Sequence, residues 1–226
     1  MDDEFLEDPR APVFFLSYAR AKPANRRVAP PHEADRFVLK FFDDLNAIVN
    51  ELVPMLPGHD PGFMDRTMEG GERWEKQVLE AAATCQVFVA LLSTSFLVRS
   101  EWCAMEWDAF SRRKIIRRVE RQPDHATGII PLLWAPIERS IPKVVAEVER
   151  FNPTDLPDPV FAAQYQDNGI LGLLRMSSLT SAYEAVIWRL GLQIQRMHHS
   201  HWVEPLDIDE LGGTTKLRHT FTREAG

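Results

Sequence analysis

Ser100, Trp102, Cys103 and Glu106 fall within the eight residues SEWCAMEW, a few positions after the apolar run QVFVALLS. Trp102 and Glu106 are four residues apart, so on a helix they share a face and the indole can stand beside the carboxylate. Such an aromatic wall partly withdraws an acid from water, which raises its proton affinity, and it offers a flat surface for a planar ligand. The same residues have a plainer reading. A glutamate in the first turns of a helix complements the macrodipole, and a tryptophan at helical spacing fills a core.

Other reactive side chains carry weaker signals. Cys85 and Cys103 are the only cysteines, too few for a disulfide framework in a chain of this length, and in apolar helical patterns each reads as a small buried hydrophobe. The HHSH stretch places His198, His199 and His201 together, but no Cys or acid stands near at ligand spacing, which argues against a metal site. RRKIIRRVER gathers six cations between Arg112 and Arg121; it reads as a solvated helix end complementing its own dipole, with docking of a phosphate or an acidic partner as the other possibility. Trp74 and Trp107 read as packing residues.

The elements that must position these residues follow from periodicity. VFFLSYA (13–19) is a short buried strand, followed by a Pro-rich basic loop. Phe37, Phe41, Leu45, Ile48 and Leu52 mark an amphipathic helix that stops near Pro54. GFMDR is a short strand candidate; the paired glycines Gly70 and Gly71 lie in the connection after it, and Trp74, Val78, Ala81 and Cys85 mark a second helix. QVFVALLS is apolar on both alternating sets, the pattern of a central parallel strand covered on two sides. A helix begins near Thr94, breaks, restarts with Ser100 as N-cap and runs on through SRRKIIRRVE. TGIIPLLW is a further strand, a short helix falls near 141–150, GILGLL is a candidate last strand, and TSAYEAVIWRLGLQIQRMHH is the closing helix.

Strands alternating with helices predict an open, doubly wound α/β sheet of about five parallel strands, flavodoxin-like, in the order 2-1-3-4-5. In that topology the strand-to-helix connections share the carboxyl edge, and ligands bind where successive connections diverge, between the first and third strands. The first strand brings Ser17, Tyr18 and Arg20 to this crevice, the third brings the segment from Ser93 to Glu106, and the second brings the glycine loop. No phosphate-cradling glycine fingerprint follows VFFLSY, which argues against a nucleotide or flavin receiver on the same sheet.

Composition sets the outer limits. The 226 residues are 45% hydrophobic, enough for one sizeable core. The expected divisions are an acidic leader (1–11), one domain (12–202) and a polar, solvated tail (203–226). A formal charge of −7 makes the molecule as a whole repel a polyanion, so DNA and RNA are excluded as expected partners. The first ten residues hold five acids and no apolar core, and no apolar run approaches a membrane span, so a cytoplasmic protein without a membrane partner is expected.

The ordered set FFLSYAR, GFMDR, EGGERW, VFVALLSTSFLVRSEWCAMEW and IIPLLW resembles a TIR domain (Toll/interleukin-1 receptor/resistance protein) over roughly residues 12 to 200. More narrowly, FFLSYAR, GFMDR, ATCQVFVALLS and GLLRMS resemble the bacterial TIR-like FxsC group, associated with FxSxx-type peptide systems. Many TIR domains cleave the nicotinamide–ribose bond of NAD with a glutamate in the pattern Ser-x-Trp-Cys-x-x-Glu. The resemblance therefore implies Glu106 as catalytic acid, NAD(P)+ as substrate and no resident cofactor or metal. It implies substrate contacts for Tyr18 and Arg20, with Ser17 holding the strand-end turn, and it adds Trp102, Arg66, Gly70 and Gly71 around the mobile connection 67–74. Departure of a neutral nicotinamide needs no second acid, although Asp65 and Glu101 fall close by. Where family members often carry two basic residues after the aromatic, Ala19 takes the first place. Many TIR domains instead act by binding one another, so self-association and a non-catalytic scaffold in a peptide maturation system stand as the other expectation.

Overall fold

The computed structural model describes residues 10–20, 35–65, 72–118, 127–153, 156, 158–207, 216–218 and 221. In chain order the first elements are β1 (Phe14–Ser17), α1 (Arg36–Leu52), β2 (Gly62–Met64), α2 (Glu72–Thr84), β3 (Val87–Leu92), α3 (Thr94–Arg99) and α4 (Glu101–Ser111). They are followed by β4 (Ile115–Arg117), β5 (Ile129–Leu133), α5 (Lys143–Ala146), α6 (Pro159–Arg175), α7 (Thr180–Ser200) and β6 (His201–Val203).

β2, β1, β3 and β5 form one parallel sheet in that order, with Phe15 opposite Phe63 on one side and Phe88 on the other. Because successive side chains point to opposite faces, each strand divides its apolar residues between two layers. Phe14, Leu16, Val87, Val89, Leu91, Ile130 and Leu132 meet α1, α6 and α7. Phe15, Phe88, Ala90, Leu92 and Ile129 meet α2 and α4. On that second face Phe63, Phe15 and Phe88 stack across three strands, at centroid distances of 5.7 and 5.4 Å. This is the doubly wound, flavodoxin-like arrangement expected, with helices on both faces.

The sheet ends at β5, and backbone chemistry explains why. The even positions of this strand face β3: Gly128 accepts from Phe88, and Trp134 donates to Leu92. The odd positions face outward, where Pro131 has no N–H to offer, its carbonyl accepts from Phe151, and the Leu133 N–H is taken by the Tyr165 hydroxyl at 2.8 Å. A capped edge of this kind cannot receive another strand. GILGLL, expected as a fifth strand, is instead the second half of α6. That helix is broken at Gly169 (φ 63°, ψ 176°), and past the break Leu171 donates to the Trp134 carbonyl. A Cβ at Gly169 would stand 2.7 Å from that carbonyl oxygen, so both the backbone sign and the space require glycine.

Two further expectations are corrected. α4 stops at Ser111 rather than continuing through SRRKIIRRVE: Ile115–Arg117 pairs antiparallel with His201–Val203. Arg113, expected on a solvated helix end, is buried; its guanidinium donates to the carbonyls of Ala82, Cys85, Val203 and Glu204. It does serve a helix C-terminus, but that of α2. The four last carbonyls of α2 all have partners: Cys85 N–H on Ala81, Arg113 on Ala82, Leu206 N–H on Ala83 and the Gln86 amide on Thr84.

The stretch beyond residue 203, expected as solvated, also contributes to the core. Leu217 packs with Leu79, Met105 and Ala109, and Phe221 packs on Phe96 and Trp107 at 5.5 and 5.8 Å. The Arg218 N–H donates to Asp108, and Arg112 bridges Asp108 and the Lys216 carbonyl. Among the described residues no helix is long and apolar enough to cross a membrane.

Candidate functional site

The path from β3 into α4 is fixed by two hydroxyl caps. Ser93 accepts from the Phe96 N–H at 3.1 Å and opens α3; Ser100 accepts from the Cys103 N–H at 3.2 Å and opens α4. The expected break and restart are thus both present. From Ser100 the helical period sets Cys103, Glu106 and Phe110 on one stripe. Cys103 and Phe110 belong to the layer under the sheet, so Glu106 is an acid within an apolar stripe and is only 7% exposed.

Ser17 ends β1, and the alternation that turns Phe15 toward α2 and α4 turns Ser17 the same way. Its hydroxyl donates to Oε2 of Glu106, a buried contact that spans 89 residues of sequence. Ser17, expected to hold the strand-end turn, is bonded to the carboxyl group of Glu106. Burial pushes that carboxyl up to about 8; the Ser17 bond pulls it down, the Asp65 charge adds to the rise and Arg20 opposes it. Glu106 thus holds its proton far more tightly than an ordinary glutamate does. Cys103, one turn earlier, is held far above the ordinary thiol range, first by burial and then by Glu106.

Tyr18 and Arg20 continue from β1 toward the end of β2. The Tyr18 hydroxyl donates to the main-chain carbonyl of Asp65 at 3.1 Å, and the Arg20 guanidinium forms an ion pair with the Asp65 carboxylate. Burial raises the Tyr18 phenol well beyond its usual range, so it acts as a neutral donor. Asp65 immediately follows the last residue of β2, so the ends of β1 and β2 and the second turn of α4 meet at one edge of the sheet. Ser17, Tyr18, Arg20 and Glu106 are brought together there. Asp65, named from sequence only as a neighbour, is a full member. A signal for it existed in the acid that closes GFMDR directly after a strand.

Trp102 is half-buried and packs on the cluster formed by Leu79, Met105, Ala109 and Leu217, which assigns it a wall between α4, α2 and the C-terminal segment. Glu101 is exposed at the start of α4. Arg66, Gly70, Gly71 and most of the connection 67–74 lie outside the described residues. In HHSH, burial pushes His198 down to about 4, with Arg118 and His199 adding to the fall, and Ser200 Oγ lies 2.7 Å from His201 Nδ1. Among the described residues no group of three or more His, Cys, Asp or Glu could hold a metal ion.

Chemically, the cluster offers one near-neutral acid in an apolar setting, a hydroxyl that donates to it, a half-exposed guanidinium and a second carboxylate. The sequence family described as TIR domain matches residues 32–168, well over half of the chain. No curated protein and no solved structure matches it.

Proposed function

The chain belongs to the TIR domain family, and from that membership we propose that it is an NAD(P)+ nucleosidase with Glu106 as the catalytic acid. The observation that supports this reading is the Ser17–Glu106 contact, which draws the acid of α4 to the carboxyl end of β1, where Tyr18 and Arg20 follow. In the reaction the electron pair of the nicotinamide–ribose bond goes to the pyridinium nitrogen and nicotinamide leaves neutral. Positive charge is left on the ribose C1′ and ring oxygen; addition of water with loss of a proton completes hydrolysis. A single carboxylate beside the ribose stabilises that cation. Glu106 must be ionised to do so, and the positive pyridinium of the bound substrate favours its anion. Arg20 would take a phosphate, and the half-buried Tyr18 would pack the nucleoside.

Incubation of the purified protein with NAD, read as nicotinamide release over a range of protein concentrations, tests this. Glu106→Ala is expected to lower turnover about a hundredfold or more. Equal turnover in both proteins would remove the enzymatic reading.

A second reading is a non-catalytic scaffold that self-associates, in keeping with the narrower FxsC-like resemblance and its peptide maturation systems. The burial of Glu106 favours it: in this conformation the acid is closed in by Ser17 and α4. The two readings join if self-association, in bacterial defence or signalling, opens the acid to substrate. Turnover that rises more than linearly with protein concentration is the expected sign.

A further inference from the structure

We propose that Asp65 is a latch on Arg20, holding its guanidinium at the rim of the Glu106 cluster and yielding it to the diphosphate of an incoming dinucleotide. The inference rests on the nucleosidase reading and adds a specificity device to it: only a ligand carrying a strong oxyanion competes for Arg20.

The two partners differ in freedom. The Asp65 side chain is 12% exposed, whereas that of Arg20 is 35% exposed. Asp65 is also gripped through its main chain, since its carbonyl accepts from Tyr18 and its residue directly follows the β2 ladder with β1. The carboxylate is therefore the fixed half and the guanidinium the half that can leave. A carboxylate and a phosphate present the same paired oxygens to the planar fork of an arginine, so one replaces the other without rearranging the donor. A nucleoside has no such oxygens, and against it the ion pair stays closed. Asp65 is thus a positioning residue: it competes with the ligand for Arg20 and touches no reacting atom.

Titration calorimetry with ADP and with adenosine separates this device from a merely structural role. Asp65→Asn keeps the main-chain carbonyl for Tyr18 and removes the charge that competes for Arg20. It is expected to tighten ADP about threefold or more, the scale of a partly exposed ion pair, with adenosine unchanged. Asp65→Ala, which leaves Arg20 no amide to bond, should tighten ADP at least as much, and Arg20→Gln should abolish the preference for ADP over adenosine. Unchanged or weaker ADP binding in both Asp65 variants, or no ADP binding by them at all, overturns the latch. Nicotinamide release is followed in parallel. If ADP tightens but nothing is released from NAD, the latch stands and the nucleosidase reading falls. If nicotinamide is released while ADP affinity ignores Asp65, the reverse holds.

Discussion

Glu106 is held against the preference of an ordinary glutamate, and that has a thermodynamic signature. Its carboxyl is raised from 4.5 to about 8, chiefly by burial. The folded state therefore binds the proton more tightly than the unfolded chain does. The stability this confers is complete below about pH 4.5 and is lost as pH rises through about 8, on the order of a few kcal/mol. Glu106→Gln mimics the protonated group and can still accept from Ser17. Its melting temperature should exceed that of the unaltered protein at pH 8 to 9, by about 2–4 °C for each kcal/mol, and the two should converge near pH 5. Equal melting at pH 8.5 would mean the acid is ionised at no cost. The sequence carried part of this: Cys103, Glu106 and Phe110 are spaced as one stripe, and an acid inside it invites attention. It did not carry the Ser17 contact, because nothing local to either residue specifies how β1 lies beneath α4.

Element by element, legibility followed the strength of the local signal. The cap at Ser100 was readable because its hydroxyl has its partner three residues on; the matching cap at Ser93 was not singled out, although it has the same spacing. α1, β3 and α7 were readable because their periods are long and regular. α4 was overextended because the arginines after Ser111 are good helix formers, and only tertiary contacts reveal that Arg113 turns inward. GILGLL failed as a strand for a similar reason: apolar runs of that length fit either period, and the capped edge of β5 decides between them. Arg113 offers the test at this scale. Arg113→Lys keeps a cation but cannot span the carbonyls of Ala82, Cys85, Val203 and Glu204. A loss of about 2–4 kcal/mol is expected in the unfolding free energy from urea titration, since buried carbonyls go unpaired; a loss under about 0.5 kcal/mol would make the clasp ornamental.

For the molecule as a whole, the sheet order and the two covered faces were foreseeable, while the last stretch was not. Residues 216–218 and 221 lie in a polar context, and single apolar positions such as Leu217 and Phe221 have no period to mark them. Both are nonetheless buried, at 6% and 9%. Phe221→Ala and Leu217→Ala are each expected to cost about 2–4 kcal/mol in denaturant unfolding, as for core truncations. Values near those of surface substitutions would return the stretch to the solvated role first expected. The Asp108–Arg218 hydrogen bond joins residues 110 positions apart, and the helix it covers is the one that carries Glu106. At ribosomal speeds of about 5–20 residues per second, α4 is thus made roughly 5–20 s before its outer cover exists. During that interval Trp107, Met105 and Leu79 lack the Phe221 and Leu217 side chains that later cover them, and the helix that carries the acid stands without its outer layer.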